Sequence, residues 1–254
     1  MLAVSLVLLG VLAVAVRLDA GSDGTVVSSW LTDGVVVQVT DSEGALQDGD
    51  VVTTIAGRRL ADDLGGLARP EPGEQLTYQV LREGPRPLTV HVDRADPYPL
   101  LAAEWGNLLF VFALAGLATA LYLRRPEEPA TTPLLIAAAG LLGSTLAFGA
   151  GLPALALATG GPVLWLYNLN VIGAYAIAWG GSLAFALQLF GAQGAPRLGR
   201  TVLAVAYAAP PGLMLVWMAV AAAIAPNGLR WFDLVYAFTT LLVATTLVLG
   251  GVLG

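Results

Sequence analysis

The chain separates into long stretches that are apolar at nearly every position and one stretch in which apolar and polar positions alternate. Residues 1–16 are apolar almost throughout, residues 17–99 are mixed, and further apolar runs occupy 101–123, 134–152, 163–190, 201–225 and 234–253. A helix of about 20 apolar residues crosses a hydrocarbon core of roughly 30 Å, and within lipid the backbone must satisfy its own hydrogen bonds. The pattern therefore predicts six membrane helices with one folded segment inserted after the first. The first run is slightly short at about 1.5 Å per residue and needs help from its flanks. No Lys or Arg precedes it, and Leu18 is a poor residue two positions before Ala20, which favours a retained anchor over a cleaved signal peptide.

Within residues 17–99 the alternation and the turn residues predict strands. Asp33-Gly34 opens Val35 to Val39, Gly49-Asp50 opens Val51 to Ile55, and Ala56-Gly57 turns the chain before Arg58 and Arg59. Leu60, Leu64 and Leu67 fall at spacings of four and three, which predicts a short helix over 61–68. Two last strands, 75–82 and 87–93, flank Glu83-Gly84-Pro85, with Leu76, Tyr78, Val80, Leu88, Val90 and Val92 pointing inward.

Composition sharpens this picture. A hydrophobic share of 57% with 12% charged residues places the chain among polytopic membrane proteins. The mixed segment holds ten Asp, four Glu and seven Arg, a balance of −7 in a chain of net −6, so the remainder is close to neutral. That acidic balance argues against nucleic acid, which needs a clustered basic surface. The short loops set the orientation: Arg124 and Arg125 lie between the second and third runs, Arg197 and Arg200 between the fourth and fifth, and residues 153–161 carry no charge. The positive-inside rule makes the Arg loops cytoplasmic, the acidic segment extracytoplasmic and the membrane the cytoplasmic one. Trp105, Trp165, Tyr167 and Trp231 then fall at the outer helix ends. The last run reaches Gly254 without a polar cap, from which we expect further cytoplasmic sequence. The fold class expected is an α-helical polytopic membrane protein with an inserted α+β domain, divided as 1–16, 17–99 and 100–254.

The order Gly34-Val35-Val36-Val37, Gly44-Ala45-Leu46-Gln47-Asp48-Gly49-Asp50-Val51-Val52, Ile55-Ala56-Gly57, Leu64, Leu67, Pro72-Gly73 and Val80-Leu81-Arg82-Glu83-Gly84 resembles a bacterial PDZ domain over residues 28–92. That resemblance implies a self-contained sandwich or barrel that adds an extended peptide to a sheet edge. Carried onto this chain, the groove is Val35, Val36 and Val37 against Leu64 and Leu67, with Trp30, Leu31, Thr32, Asp33 and Gly34 as the loop that holds a carboxylate. Asp33 departs from the pattern, since a carboxylate beside a bound carboxylate is repulsive. The layout of one helix, a PDZ-like domain and further helices is similar to the input region of actinobacterial sensor histidine kinases. It implies a peptide or protein-segment ligand, contact with membrane lipid and compatibility with a homodimer. The alternative is an adaptor that presents clients to a protease or secretion partner.

Catalytic residues are not expected. Zinc proteases need His-Glu-x-x-His and serine proteases need a His beside the nucleophile, but His91 is the one histidine and sits on the outward side of a strand. There is no Cys, and neither a metal nor a cofactor is implied. Asn168 and Asn170 fit helix packing or ligand contact, whereas Glu104 and Asn107 are accounted for by solvation at the membrane interface. No Asp, Glu or Arg falls at mid-membrane, which argues against ion-coupled transport.

Overall fold

A computed structural model describes residues 1–40, 45–96, 102–192 and 200–253. Gly44, Leu101, Arg197 and Gly254 lie outside the described residues. Helix α1 (Leu2–Asp19) runs three residues past the expected end at Val16. It leads into β1 (Gly21–Ser22), β2 (Thr25–Trp30), β3 (Val35–Val39), β4 (Val51–Ile55), β5 (Arg58–Arg59), β6 (Gln75–Leu81), β7 (Pro85–His91) and β8 (Asp93–Arg94). The helical part follows as α2 (Trp105–Arg124), α3 (Thr131–Ala150), the short α4 (Ala154–Thr159), α5 (Gly161–Asn168), a π-helical turn (Leu169–Ala174), α6 (Tyr175–Ala192), α7 (Arg200–Ile224) and α8 (Gly228–Leu253). Among the described residues five helices are long and apolar enough to cross a membrane: Leu2–Asp19, Trp105–Arg124, Thr131–Ala150, Gly161–Leu189 and Arg200–Ile224.

The main sheet is antiparallel in the order β2-β3-β4-β6-β7, with β5 folded back onto β4, and β1 pairs β8 beside it. Ala56 and Gly57 both take positive φ, 50° and 79°, the left-handed pair that a tight hairpin from β4 to β5 requires. Leu76, Tyr78, Val80, Val90 and Val92 point into the core as their alternation predicts, Leu88 is partly buried, and His91 is exposed. Arg82 at the end of β6 forks onto Asp50 at the start of β4, with Nε to Oδ1 at 2.7 Å and Nη2 to Oδ2 at 2.5 Å. Burial raises the Asp50 pKa, but the Arg82 fork, the Gln47 N–H and the charges of Arg82 and Arg86 outweigh it and hold the carboxyl below its ordinary value.

Residues 61–68 do not form the expected helix. They run as turns, because Gly65 takes a φ of 85° and the N–H groups of Gly65 and Leu67 donate to the Leu157 and Ala158 carbonyls of α4, both at 2.8 Å. The partners of α4 thus override a correct apolar spacing that Gly65-Gly66 makes weak as a helix. Residues 153–161 are uncharged for the same reason. Ala154 to Ala158 are buried between the sheet and the helices, where an ion would be unpaired.

Small residues set the helix crossings. A Cβ at Gly10 would lie 2.6 Å from the Gly143 Cα, and one at Gly143 would lie 2.5 Å from the Leu6 carbonyl oxygen, so α1 and α3 touch backbone to backbone. Gly140 meets Ala174 and Ala178, Gly181 meets Ala137, and Gly180 meets Tyr207 in the same manner. Gly143→Val is therefore expected to push α1 off α3, with an overpacking cost of about 1–3 kcal/mol. Crosslinking of cysteines placed at positions 6 and 139, which share one apolar cluster, checks this in membranes, and a yield undiminished by Gly143→Val would refute the close crossing.

Candidate functional site

The expected peptide groove is not formed. Strand β3 is flanked on one side by β2, from Thr25↔Val39 to Trp30↔Val35, and on the other by β4 at Val35↔Val52 and Val36↔Val51. Val35 and Val37 are fully buried, Val36 is partly buried, and Gly34 is held against the Val52 carbonyl. Leu31, Thr32 and Asp33 form an exposed turn rather than a carboxylate loop, and the Thr32 carbonyl accepts a hydrogen bond from Asn227 Nδ2 at 2.9 Å. Leu64 and Leu67 lie partly buried against the core shared by sheet and helices, not on a helix beside an open β3 edge. Leu64 also lines a crevice with Leu164, Gly228 and Trp231 of α5 and α8.

What these residues build is a joint between sheet and helices. The core of the sheet, with Val35, Ile55, Leu60, Tyr78 and Val80, is continuous with Leu152, Leu155, Leu157, Leu164, Leu229 and Phe232. Asp23 holds the polar centre of this joint. It is buried at 5% exposure and accepts from Thr25 N at 3.2 Å, Thr25 Oγ1 at 2.8 Å, Tyr78 Oη at 2.9 Å and the Leu155 N–H at 2.8 Å. Burial, then the charge of Asp23 and its hydrogen bond, push the Tyr78 hydroxyl well above its ordinary pKa, so it stays a donor at any physiological pH. Arg17, also buried, donates from Nη2 to Ser22 Oγ at 3.1 Å and places its positive charge near Asp23. One carboxylate therefore ties the end of α1, the sheet and the first turn of α4 together.

The second tie is aromatic. Trp30, at the end of β2, stacks on Phe232 with ring centroids 4.8 Å apart and on Tyr236 at 5.5 Å. Tyr236 donates to Asn168 Oδ1 at 2.8 Å, immediately before the π-helical turn. Inside that turn, fully buried Asn170 donates from Nδ2 to the Leu166 carbonyl at 2.8 Å and to the Leu9 carbonyl of α1 at 3.1 Å. The two amides thus serve packing, but they also complete a path from the sheet through α8 and the π turn to α1. A π turn leaves the helix ladder locally irregular, a feature common at functional positions.

Tyr236 also borders a cavity of about 420 Å³ between α2, α3, the π turn and α8, within the ~300–1,000 Å³ usual for small-molecule sites. Glu104 and Asn107 stand at its polar end, where Asn107 Nδ2 donates to Glu104 Oε2 at 2.6 Å. A second space of about 440 Å³, between β2, β3 and the end of α3, shares Glu104 and Phe148 with the first. Solvation at an interface therefore does not fully describe Glu104, which stands where the joint and the cavity meet. Its position at the start of an apolar run carries no signal of that, because the walls come from helices distant in sequence. Comparison with known proteins gave no match among family models, curated proteins or solved structures.

Proposed function

We propose that this chain is the receptor part of a membrane sensor. Six helices span the cytoplasmic membrane, the β-rich domain stands outside against the outer helix ends, and an output module of the histidine-kinase kind receives the signal inside. The orientation is supported by the ends of α2 and α7 opposite the sheet, where Arg124, Arg125 and Arg200 lie. Because β3 has no free edge, the ligand acts at the joint of sheet and helices and not by adding a strand in the PDZ manner.

The observation that carries this reading is the path from Trp30 through Tyr236 and Asn168 to the π turn and α1. A change in how the sheet sits on α8 has a physical route to the helices, which a domain tethered only by linkers would lack. The chain has no Cys, so single labels are clean. With spin labels at positions 122 and 201, near the Arg ends of α2 and α7, Trp30→Ala is expected to shift or broaden the distance distribution in lipid nanodiscs. An unchanged distribution would mean that no relay exists, and the adaptor reading would then replace this one.

A further inference from the structure

We propose that the cavity between α2, α3 and α8 is a binding site for an amphiphilic amine, with the ammonium group on Glu104 and the hydrocarbon tail in the apolar interior. This names the ligand class of the receptor reading above, and it rests on that reading only for its effect on the helices.

The polarity of the lining decides the class. Glu104 is the only charged side chain among the described lining residues, and no cation pairs with it among them. Its neighbour Asn107 spends an amide N–H on it, which leaves the Asn107 carbonyl oxygen as an acceptor. Four of the six hydroxyls in the wall have their protons already committed, while those of Thr145 and Tyr175 can turn to donate or accept. Ser144 donates to the Leu141 carbonyl, Thr239 to that of Val235, Thr240 to that of Tyr236, and Tyr236 to Asn168. Those four oxygens keep lone pairs and no free proton, so the wall offers more acceptors than donors around its one negative charge. A head group that fits must bring donors and positive charge. An ammonium supplies three N–H donors and one charge, whereas a phosphate or carboxylate head meets repulsion and unmatched acceptors.

The remaining wall fixes the tail. Phe110, Val111, Leu141, Phe148 and Val171 form the apolar part, and Phe110 and Phe148 are exposed at the mouth, so a chain enters sideways along α2. Helix α2 is only 11% buried over its span and packs chiefly on α3, which makes it the wall that yields when a tail enters. Glu104 is half-buried and already accepts from Asn107, so an ammonium bound there adds a charge-assisted hydrogen bond at the mouth of the cavity.

The test uses the full chain in phosphatidylcholine nanodiscs with radiolabelled dodecylamine as probe. Saturable binding near one per chain, above that of empty nanodiscs, is expected. Glu104→Gln should weaken it by at least about tenfold, because hydrogen bonds to charged groups contribute more than the roughly 1.4 kcal/mol that a tenfold step represents. Glu104→Asp should restore most of it, and the thermal midpoint of Glu104→Gln should match that of the parent. Dodecanol should compete weakly and dodecyl sulfate not at all. Binding equal in parent and Glu104→Gln, competition by dodecanol equal to that by the amine, or no binding above the lipid background would each overturn the proposal. Dodecylamine that binds without moving the label at position 122 would leave the site standing and sink the receptor reading. A label moved by Trp30→Ala in a chain that binds no amine would do the reverse.

Discussion

Asp23→Ala is expected to lower stability by roughly 3–5 kcal/mol, the cost of removing one partner from a buried charged network. The side chain receives four hydrogen bonds, and all three residues that donate them, Thr25, Tyr78 and Leu155, are buried. Without the carboxylate, the Tyr78 hydroxyl and the Leu155 N–H are left buried and unpaired, and Arg17 loses the negative charge beside it. Asp23→Asn keeps the shape and one acceptor oxygen, so its loss should be smaller and should separate the charge from the geometry. For a chain of this size the alanine variant should fall in thermal midpoint by on the order of 6–20 °C in detergent. The exposed turn of residues 31–33, between β2 and β3, should also be cut more readily by protease. A midpoint within about 2 °C of the parent would show that Asp23 does not hold the joint.

Five helices apolar enough to cross a membrane and three strands were legible because their signals are local. Val35–Val39 and Val51–Ile55 are found at the positions their valine runs and Asp-Gly or Gly-Asp openings predict, and Gln75–Leu81 follows from strict alternation. Strand β2 was not legible. Its pairing with β3 slips between Val27 and Ser29, and such a bulge breaks the period of two on which strand detection depends. That one missing strand reversed the reading of the site, since without it β3 looks like an open edge and Trp30 to Gly34 like a loop. The expected helix at 61–68 failed for a different reason. Leu60, Leu64 and Leu67 have helical spacing, but the N–H groups between them find partners on α4, a segment about 90 residues further along whose role no local pattern announces. Asn168, Asn170 and Glu104 were visible as polar residues in apolar runs, yet whether each packs, bridges or faces a cavity depends on neighbours from other helices.

The same long-range dependence predicts that residues 20–96, produced alone, will not behave as a stable monomer, contrary to what the likeness to a PDZ domain implies. Excision strips the sheet core of Leu152, Leu155, Leu157, Leu229 and Phe232. It also takes the Leu152 carbonyl from the Val27 N–H, the α4 carbonyls from Gly65 and Leu67, the Leu155 N–H from Asp23, and both stacking rings from Trp30. The polar groups regain water, but the apolar floor does not, and domains of this size already bury too little surface to tolerate a large open patch. The fragment is expected to associate, or to unfold without a cooperative transition by circular dichroism. Residues 151–160 joined through a flexible Gly-Ser linker should restore part of the cooperativity, because they return the backbone partners of Val27, Gly65 and Leu67 and the donor to Asp23. A monomeric fragment with a sharp transition, unaffected by the added segment, would establish that the sheet closes its own core and that the joint with the helices is a contact between independent units.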